Sequence, residues 1–147
     1  MARNYTRAVL SELQDIAPTD DRPVQLRSVY FGGGTPSLAP LEMLRALTQA
    51  VRSSAALRVA PDAEWTIEMD PGTFDLPKLR ALRDLGFNRV SLGVQSFDDA
   101  VLALLGRTHR RPDIEGAVAL LAHVFGPDVN YSIDLISALP GLSLAQW

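Results

Sequence analysis

Apolar residues recur along the chain at two alternating spacings. Some segments have the spacing of a helix, and in others every second residue is apolar. Helical spacing is clear from Ala8 to Ile16, whereas strict alternation is clear from Trp65 to Met69. The two periods predict four strands separated by helices. The helices are expected at about 8–16, 41–51, 76–85, 98–105 and 112–125, and the strands at 28–31, 65–69, 90–94 and 129–136.

Turn-forming residues mark the boundaries between these elements. Pro18 and Pro23 enclose two aspartates, which predicts a turn. Gly86 follows the third expected helix at the position of a left-handed C-cap. Strands that alternate with helices imply a parallel sheet with right-handed crossovers, and 147 residues suffice for one domain, 1–147. The order alone fits either an open doubly wound sheet or an arc of a barrel.

One face of each expected strand is polar, although ordinary parallel strands are apolar on both sides. We expect the apolar face to lie under the helices and the polar face to line a common interior. An antiparallel sheet with one wet face is the alternative, but the helices between the strands argue against it. The polar face consists of Ser28, Tyr30 and Gly32, then Thr66 and Glu68, then Ser91, Gly93 and Gln95, and finally Ser132 and Asp134.

Three of these inward side chains, Glu68, Gln95 and Asp134, need partners. Burying an ionised group without a partner costs on the order of several kcal/mol. Water, the side chains themselves or a ligand must satisfy them, and we favour a ligand. All three come late in their strands, and ligands of parallel α/β folds bind at that carboxyl edge. The pattern therefore favours an arc of a ligand-binding barrel.

A triple-glycine loop follows the first expected strand, at 32–34, and leads into Thr35 and Pro36. Glycines let the backbone turn sharply and approach a ligand closely. Phosphate is one possible ligand, but the loop has neither the lysine of a P-loop nor the spacing of a dinucleotide fingerprint. A plain turn is a further alternative. We favour a zwitterion, since loop carbonyls accept from an ammonium while N–H groups donate to a carboxylate.

Composition narrows the classes of function. A net charge of −3 and a pI near 5.3 argue against non-specific binding to nucleic acid or anionic membranes. No run of about 18 apolar residues predicts a transmembrane helix. The sequence has no cysteine, which excludes disulfides, thiolate metal sites and cysteine nucleophiles within these residues.

Histidine and arginine offer few further candidates. His109 and His123 cannot by themselves form a usual zinc site, and we expect a loop residue and a helix-surface residue. Arg107, Arg110 and Arg111 form a short basic cluster. Either a solvated loop or a ligand-binding role accounts for such a cluster.

Five ordered motifs resemble the radical S-adenosylmethionine (SAM) proteins of the oxygen-independent coproporphyrinogen oxidase and haem chaperone (HemW-like) type. The wording of the third and fourth motifs is more similar to the haem chaperone branch. The resemblance implies a partial TIM-like (β/α) radical SAM barrel. The motifs are SVYFGGGTPS at 28–37, EMDPGT at 68–73, NRVSLGVQSF at 88–97, LGRTH at 105–109 and DLISALPG at 134–141.

The resemblance also implies a set of SAM-binding residues. The glycine loop would hold the methionine moiety, and Glu68 would meet polar groups such as the ribose hydroxyls. Arg107 is expected to pair with a carboxylate, and the alternative is that Asp134 is only a structural partner of Arg107. The implied SAM-binding residues are Gly33, Gly34, Thr35, Glu68, Gln95, Arg107 and Asp134.

One departure from the family concerns its iron–sulfur cluster. Family members carry a C-x-x-x-C-x-x-C loop after a first strand, and its thiolates hold a [4Fe–4S] cluster. The sequence has no cysteine, so we expect the cluster only in a full-length parent. We interpret the chain as a fragment of the barrel that lacks the first strand and the cluster loop. We expect it not to generate a radical alone.

Two other functions stay open from the sequence. One is a haem-binding or haem-delivery protein without redox catalysis, with a tetrapyrrole or haem as partner. The other is a non-catalytic SAM- or nucleotide-binding domain. The resemblance implies a cytoplasmic location, or a mitochondrial one in a eukaryote, and leaves the oligomeric state open.

Overall fold

The computed structural model describes residues 2–16 and 22–143, and it has the alternation of helices and strands that the sequence predicts. Most of the predicted turn between Pro18 and Pro23 lies outside the described residues. The elements are α1 Ala2–Gln14, β1 Val24–Phe31, a 3-10 turn Pro36–Leu38, α2 Leu41–Ser53, β2 Leu57–Met69, α3 Leu76–Asp84, β3 Arg89–Gln95, α4 Asp99–Leu104, α5 Arg111–Phe125 and β4 Asn130–Leu135.

The four strands form one parallel sheet in the order β1-β2-β3-β4. Parallel pairing excludes the antiparallel alternative. A doubly wound sheet reverses its strand order at a switch point, whereas here each strand adds to the same side as its predecessor. This order is that of a barrel arc, in which the crossover helices cover one face and the strands enclose an interior.

The first two strands are longer than the sequence predicts. Val24 pairs with Leu57, well before the alternation that begins near Trp65 becomes visible. Between the pairs Leu26–Val59 and Ser28–Glu64 the register shifts, and β2 contributes extra residues there. Because Pro61 lies in this irregular stretch, the period-two pattern is interrupted and the start of the strand is hidden.

The core lies between the sheet and its helices, as the apolar alternation predicts for β2 and β3. The outward side chains of both strands are almost fully buried. Phe31, Trp65 and Phe87 pack together with ring centroids 5.0–6.5 Å apart. The buried outward residues of these strands are Trp65, Ile67, Met69, Val90, Leu92 and Val94.

The last strand does not follow this prediction. Tyr131, Ile133 and Leu135 are 40%, 39% and 45% exposed, although the alternation placed them under a helix. Within the described residues no helix follows β4, so its apolar face has no cover. The expectation of a helix-covered apolar face is therefore wrong for β4.

Helix caps fix the loops at the carboxyl edge of the sheet. The Asp75 carboxylate accepts from the Lys78 N–H at 2.9 Å at the start of α3, and the Asp98 carboxylate accepts from two N–H groups at the start of α4. After α3 the chain turns at Gly86 with φ 97°, which confirms the expected left-handed residue.

In residues 2–16 and 22–143, no helix is long and apolar enough to cross a membrane.

Candidate functional site

An open cavity of about 180 Å³ lies at the carboxyl edge of the sheet, where the interior faces of the strands converge. All of the expected SAM-binding residues except Gly33 line it. Gly33 lies beside it, with its N–H directed at Glu68. The lining residues are Gly34, Thr35, Glu68, Met69, Asp70, Ser91, Gly93, Gln95, Arg107 and Asp134.

Glu68, near the end of β2, is held from β1 and from the glycine loop. The Tyr30 hydroxyl donates to Glu68 Oε1 at 2.7 Å, and the Gly33 N–H donates to Oε2 at 3.1 Å. Gly33 has φ 111°, a conformation that favours glycine, so the turn that aims this N–H depends on the residue type. The hydrogen bond to Glu68 raises the pKa of the Tyr30 phenol, because the phenol can donate this bond only while it keeps its proton.

Asp70 connects the glycine loop with the loop between α4 and α5. Thr35 Oγ1 donates to Asp70 Oδ2 at 3.3 Å, and the guanidinium nitrogen Nη1 of Arg107 lies 3.5 Å from the same oxygen. The main chain of Asp70 is fixed as well, since the Thr73 hydroxyl donates to its carbonyl at 2.6 Å and its N–H donates to Ser37 Oγ at 3.4 Å. Two loops are thereby joined at one carboxylate.

The turn after the glycine loop is held by a lysine from α3. Lys78 Nζ donates to the carbonyl of Ser37 and, at 3.3 Å, to that of Ala39. Ser37 is fully buried, and its hydroxyl lies 2.7 Å from that of Thr73. Partial burial lowers the pKa of Lys78, because the charged form loses solvation. These contacts fix the floor of the glycine loop.

Gln95, at the end of β3, reaches the cavity through a distortion of the strand. The register between β3 and β4 shifts after the pair Leu92–Ile133, and Gln95 has φ 67°. A non-glycine residue in this region costs on the order of 1–3 kcal/mol and is concentrated at functional sites. The bulge aims the Gln95 side chain toward Gly93, where a β-carbon on Gly93 would lie 3.0 Å from Gln95 Nε2.

Arg107 is the member of the basic cluster that lines the cavity. His109 is a loop residue, as predicted, and it is 3% exposed with its Nε2 3.1 Å from the Val94 carbonyl. The guanidinium nitrogen Nη1 of Arg110 donates to the carbonyls of Arg107 and His109, each at 2.7 Å. Arg111 instead pairs with a glutamate on α5. The cluster therefore combines a structural role with a cavity-facing side chain, because Arg110 stabilises the loop that presents Arg107 to the cavity.

Asp134, on β4, is held by β3 rather than by Arg107. Ser91 Oγ donates to its two carboxylate oxygens at 3.1 and 3.3 Å. Arg107 pairs with Asp70 instead. The alternative in which Asp134 serves as the structural partner of Arg107 is therefore wrong.

The cavity carries an excess of negative charge. Three carboxylates, those of Glu68, Asp70 and Asp134, face one guanidinium, that of Arg107. Such a site favours a ligand with more than one cationic group and disfavours phosphates. In the described part of the chain, no group of three or more metal-ligating side chains is placed to hold a metal ion. The sequence also has no cysteine for an iron–sulfur cluster.

The inner face largely satisfies its own polar groups. Within the described residues, no buried side-chain nitrogen or oxygen atom is without a hydrogen-bond partner. The polar side chains of this face therefore do not by themselves require a ligand, contrary to the expectation from the sequence. What distinguishes the cavity is its unbalanced charge beside the triple-glycine loop.

The sequence reasoning did not select Tyr30, Asp70 and Ser91 as site residues. Tyr30 and Ser91 lie on the polar face that the alternation defines, so that signal was present. Asp70 follows the last residue of β2, where the period-two pattern ends, and only its place in the EMDPGT segment marks it.

Fold and site together define a parallel (β/α) barrel arc with an acidic cavity at its carboxyl edge. The Radical SAM superfamily model matches residues 5–147, and the chain belongs to this superfamily. Within it, the chain is similar to proteins named as haem chaperones and as oxygen-independent coproporphyrinogen III oxidases.

Individual relatives agree with this assignment. The chain is 47% identical over 97% of its length to the haem chaperone HemW of Synechocystis, and 36% identical over 97% to the oxygen-independent coproporphyrinogen III oxidase of Bradyrhizobium diazoefficiens. It covers 33% and 31% of those proteins, so it spans about a third of the length of these relatives. The solved coproporphyrinogen III oxidase HemN from Escherichia coli matches 99% of the chain, with a TM-score of 0.83 and 30% identity, and the chain covers 32% of it.

Proposed function

We propose that this chain is the SAM-binding part of the barrel of a radical SAM protein that works in haem or porphyrin metabolism. In this proposal residues 1–147 form a partial radical SAM core domain. The observation that carries it is the acidic cavity, where three carboxylates and one guanidinium meet the triple-glycine loop. The names of the HemW and oxidase relatives supply the link to haem and porphyrin.

The charges of the cavity fit SAM. SAM carries a sulfonium and an ammonium group and a single carboxylate, which complements three carboxylates and one guanidinium. The cavity of about 180 Å³ is below the roughly 300–1,000 Å³ of most ligand pockets, so it suits the amino-acid end of such a molecule. In this family SAM is the source of a radical when a reduced [4Fe–4S] cluster lies beside it.

The residues of this chain would bind and orient SAM. Gly33, Gly34 and Thr35 are proposed to hold the methionine moiety, and Glu68 the ribose hydroxyls. Arg107 is proposed to meet the SAM carboxylate. Gln95 and Asp134 complete the set of proposed SAM-binding residues.

The [4Fe–4S] cluster does not fit this chain. Its usual ligands are thiolates, and the sequence has no cysteine. We therefore propose that the chain alone is inactive in radical chemistry, and that a cluster forms only where other residues of a longer parent supply the thiolates.

Two alternatives have less support in the structure. A nucleotide-binding domain would place phosphates against three carboxylates. A haem-delivery role is favoured by the HemW relatives, but neither histidine lines the cavity. His109 is buried and hydrogen-bonded to the Val94 carbonyl of β3, and His123 is exposed on α5. As to location, we propose the cytoplasm, or the mitochondrion in a eukaryote, because the relatives from mouse and cattle are named as mitochondrial.

Calorimetry with three ligands tests the proposal. SAM is expected to bind, S-adenosylhomocysteine to bind more weakly because it lacks the sulfonium charge, and ATP not to bind. Glu68→Ala removes a charge-assisted contact of about 1.5–3 kcal/mol, so SAM affinity should fall by about tenfold or more.

Glu115→Ala is the matched control, because Glu115 is an exposed glutamate on α5 that pairs with Arg111. SAM affinity should be unchanged in this variant. ATP binding more tightly than SAM, or full SAM affinity in Glu68→Ala, would show that the cavity has a different ligand.

A further inference from the structure

Polar contacts continue along the inner face of the sheet below the cavity, beyond the residues that line it. Arg89 and Ser132 make such contacts, and neither lines the cavity. We propose that they are positioning residues for Asp134, which they orient through a chain of hydrogen bonds that runs in one direction. The identity of the ligand in this proposal rests on the proposed function, but the orientation of Asp134 does not.

The chain of contacts crosses between β3 and β4 three times and ends on β4. The guanidinium nitrogen Nη2 of Arg89 donates to Ser132 Oγ at 2.9 Å, and Ser132 Oγ lies 3.2 Å from Ser91 Oγ. Ser91 Oγ then donates to Asp134 at 3.1 and 3.3 Å. Ser91 and Ser132 are register partners in the parallel sheet, so strand pairing itself brings the two hydroxyls together.

The direction of the chain follows from its two ends. A guanidinium only donates, and an ionised carboxylate only accepts. Since Ser91 has one proton and gives it to Asp134, its oxygen accepts from Ser132. Ser132 in turn accepts from Arg89. The two ends thus define one direction for this chain of bonds, in which each bond polarises the next.

The Arg89 end is anchored to β2 through Glu64. Arg89 Nε lies 3.7 Å from Glu64 Oε2, and its side chain is 23% exposed. Glu64 also accepts from Thr66 Oγ1 at 3.0 Å and from Asn130 Nδ2 at 3.4 Å. The far end of the chain is thus tied to three strands.

Asp134 needs such support because of its place in the fold. Its strand, β4, is at the edge of the sheet, and the residue is exposed. A carboxylate there rotates freely unless something holds it. Ordering a side chain on binding weakens affinity by about three- to tenfold, so a carboxylate that is already oriented binds a cationic ligand more tightly.

An isosteric pair of substitutions tests the proposal. Ser132→Thr keeps the hydroxyl, whereas Ser132→Val has the same shape without it, and both side chains suit a strand. Two measurements are made on the full chain: the Hα–Hβ couplings of Asp134 without ligand, which report its χ1 rotamer, and SAM affinity by calorimetry.

We expect Ser132→Thr to keep one Asp134 rotamer and full affinity. Ser132→Val should average the rotamers and weaken SAM binding about three- to tenfold. In the background of Asp134→Asn the valine effect on affinity should be much smaller, as coupling through that carboxylate requires.

Equal couplings and equal affinities for the threonine and valine variants would overturn the proposal. If SAM does not bind the chain at all, the proposed function fails, while the couplings still decide whether Asp134 is oriented by Ser132. Thermal denaturation checks folding. Should Ser132→Val unfold, Ser132→Ala replaces it, with the same expected couplings and the same contradicting result.

Discussion

Gly93→Ala tests the packing of the cavity wall most severely, because the added β-carbon has no room. It would lie 2.5 Å from Asp70 Oδ1 and 3.0 Å from Gln95 Nε2. The carboxylate of Asp70 must move, and we expect its contacts with Thr35 and Arg107 to weaken. The glycine loop and the Arg107 loop should then come apart from each other.

The magnitude follows from two opposing effects. Overpacking costs about 1–3 kcal/mol, and replacing a glycine within a strand recovers about 0.5–1 kcal/mol. We expect a net loss of up to about 2.5 kcal/mol in the free energy of unfolding. At roughly 2–4 °C per kcal/mol for a chain near this size, the thermal midpoint should fall by a few degrees.

Urea denaturation followed by tryptophan fluorescence measures this loss, because Trp65 is buried in the core. Gly116→Ala is the matched control. Gly116 lies within α5, and a β-carbon there meets nothing within 4 Å, so stability should rise by about 0.8–1 kcal/mol. A Gly93→Ala variant as stable as Gly116→Ala would refute the close contact with Asp70.

Two further predictions concern pH and radical chemistry. Absorbance titration should show one phenol with a pKa above the ordinary 10.0 that is missing in Tyr30→Phe and moves back toward 10.0 in Glu68→Gln. Because the pKa of Tyr30 is raised in the folded state, its contribution to stability is present below pH 10 and is lost as the pH rises through the pKa of the folded state. A phenol with an unshifted pKa would contradict the hydrogen bond to Glu68. SAM and dithionite added to the chain alone should yield no 5′-deoxyadenosine by chromatography, since the sequence has no cysteine to hold a cluster. Its formation would disprove the proposed need for added thiolates.

Alternation along the strands predicted the main features of the site. A side chain on a strand has only two directions, so the period-two pattern by itself assigns Glu68 and Asp134 to the interior. The carboxyl-edge location follows equally from strand direction. These parts depend on local sequence and on a general rule of parallel folds.

Contacts between loops were beyond such reasoning. Asp70, Thr35 and Arg107 come from different loops, and no period in the sequence says that they meet. The bulge at Gln95 and the early start of β2 depend on the register of neighbouring strands, which one strand alone does not encode. The uncovered face of β4 likewise follows from which elements pack against it.

The cavity also changes the reason for expecting a ligand. Polar side chains of the interior were expected to need a ligand because burial without partners is costly. The structure shows that Ser91, Ser132 and Arg89 satisfy much of that face among themselves. We now expect a ligand because of charge, since Arg107 alone faces three carboxylates in the cavity.

Chemical-shift mapping of the chain with added SAM addresses this cavity most directly. The backbone amides of Gly33, Gly34, Gln95 and Asp134 should shift as SAM is titrated, while that of His123 on the outer helix α5 should not. Saturable shifts centred on these four residues are the predicted result. No shifts, or shifts confined to the helices outside the sheet, would contradict the assignment of this cavity to SAM.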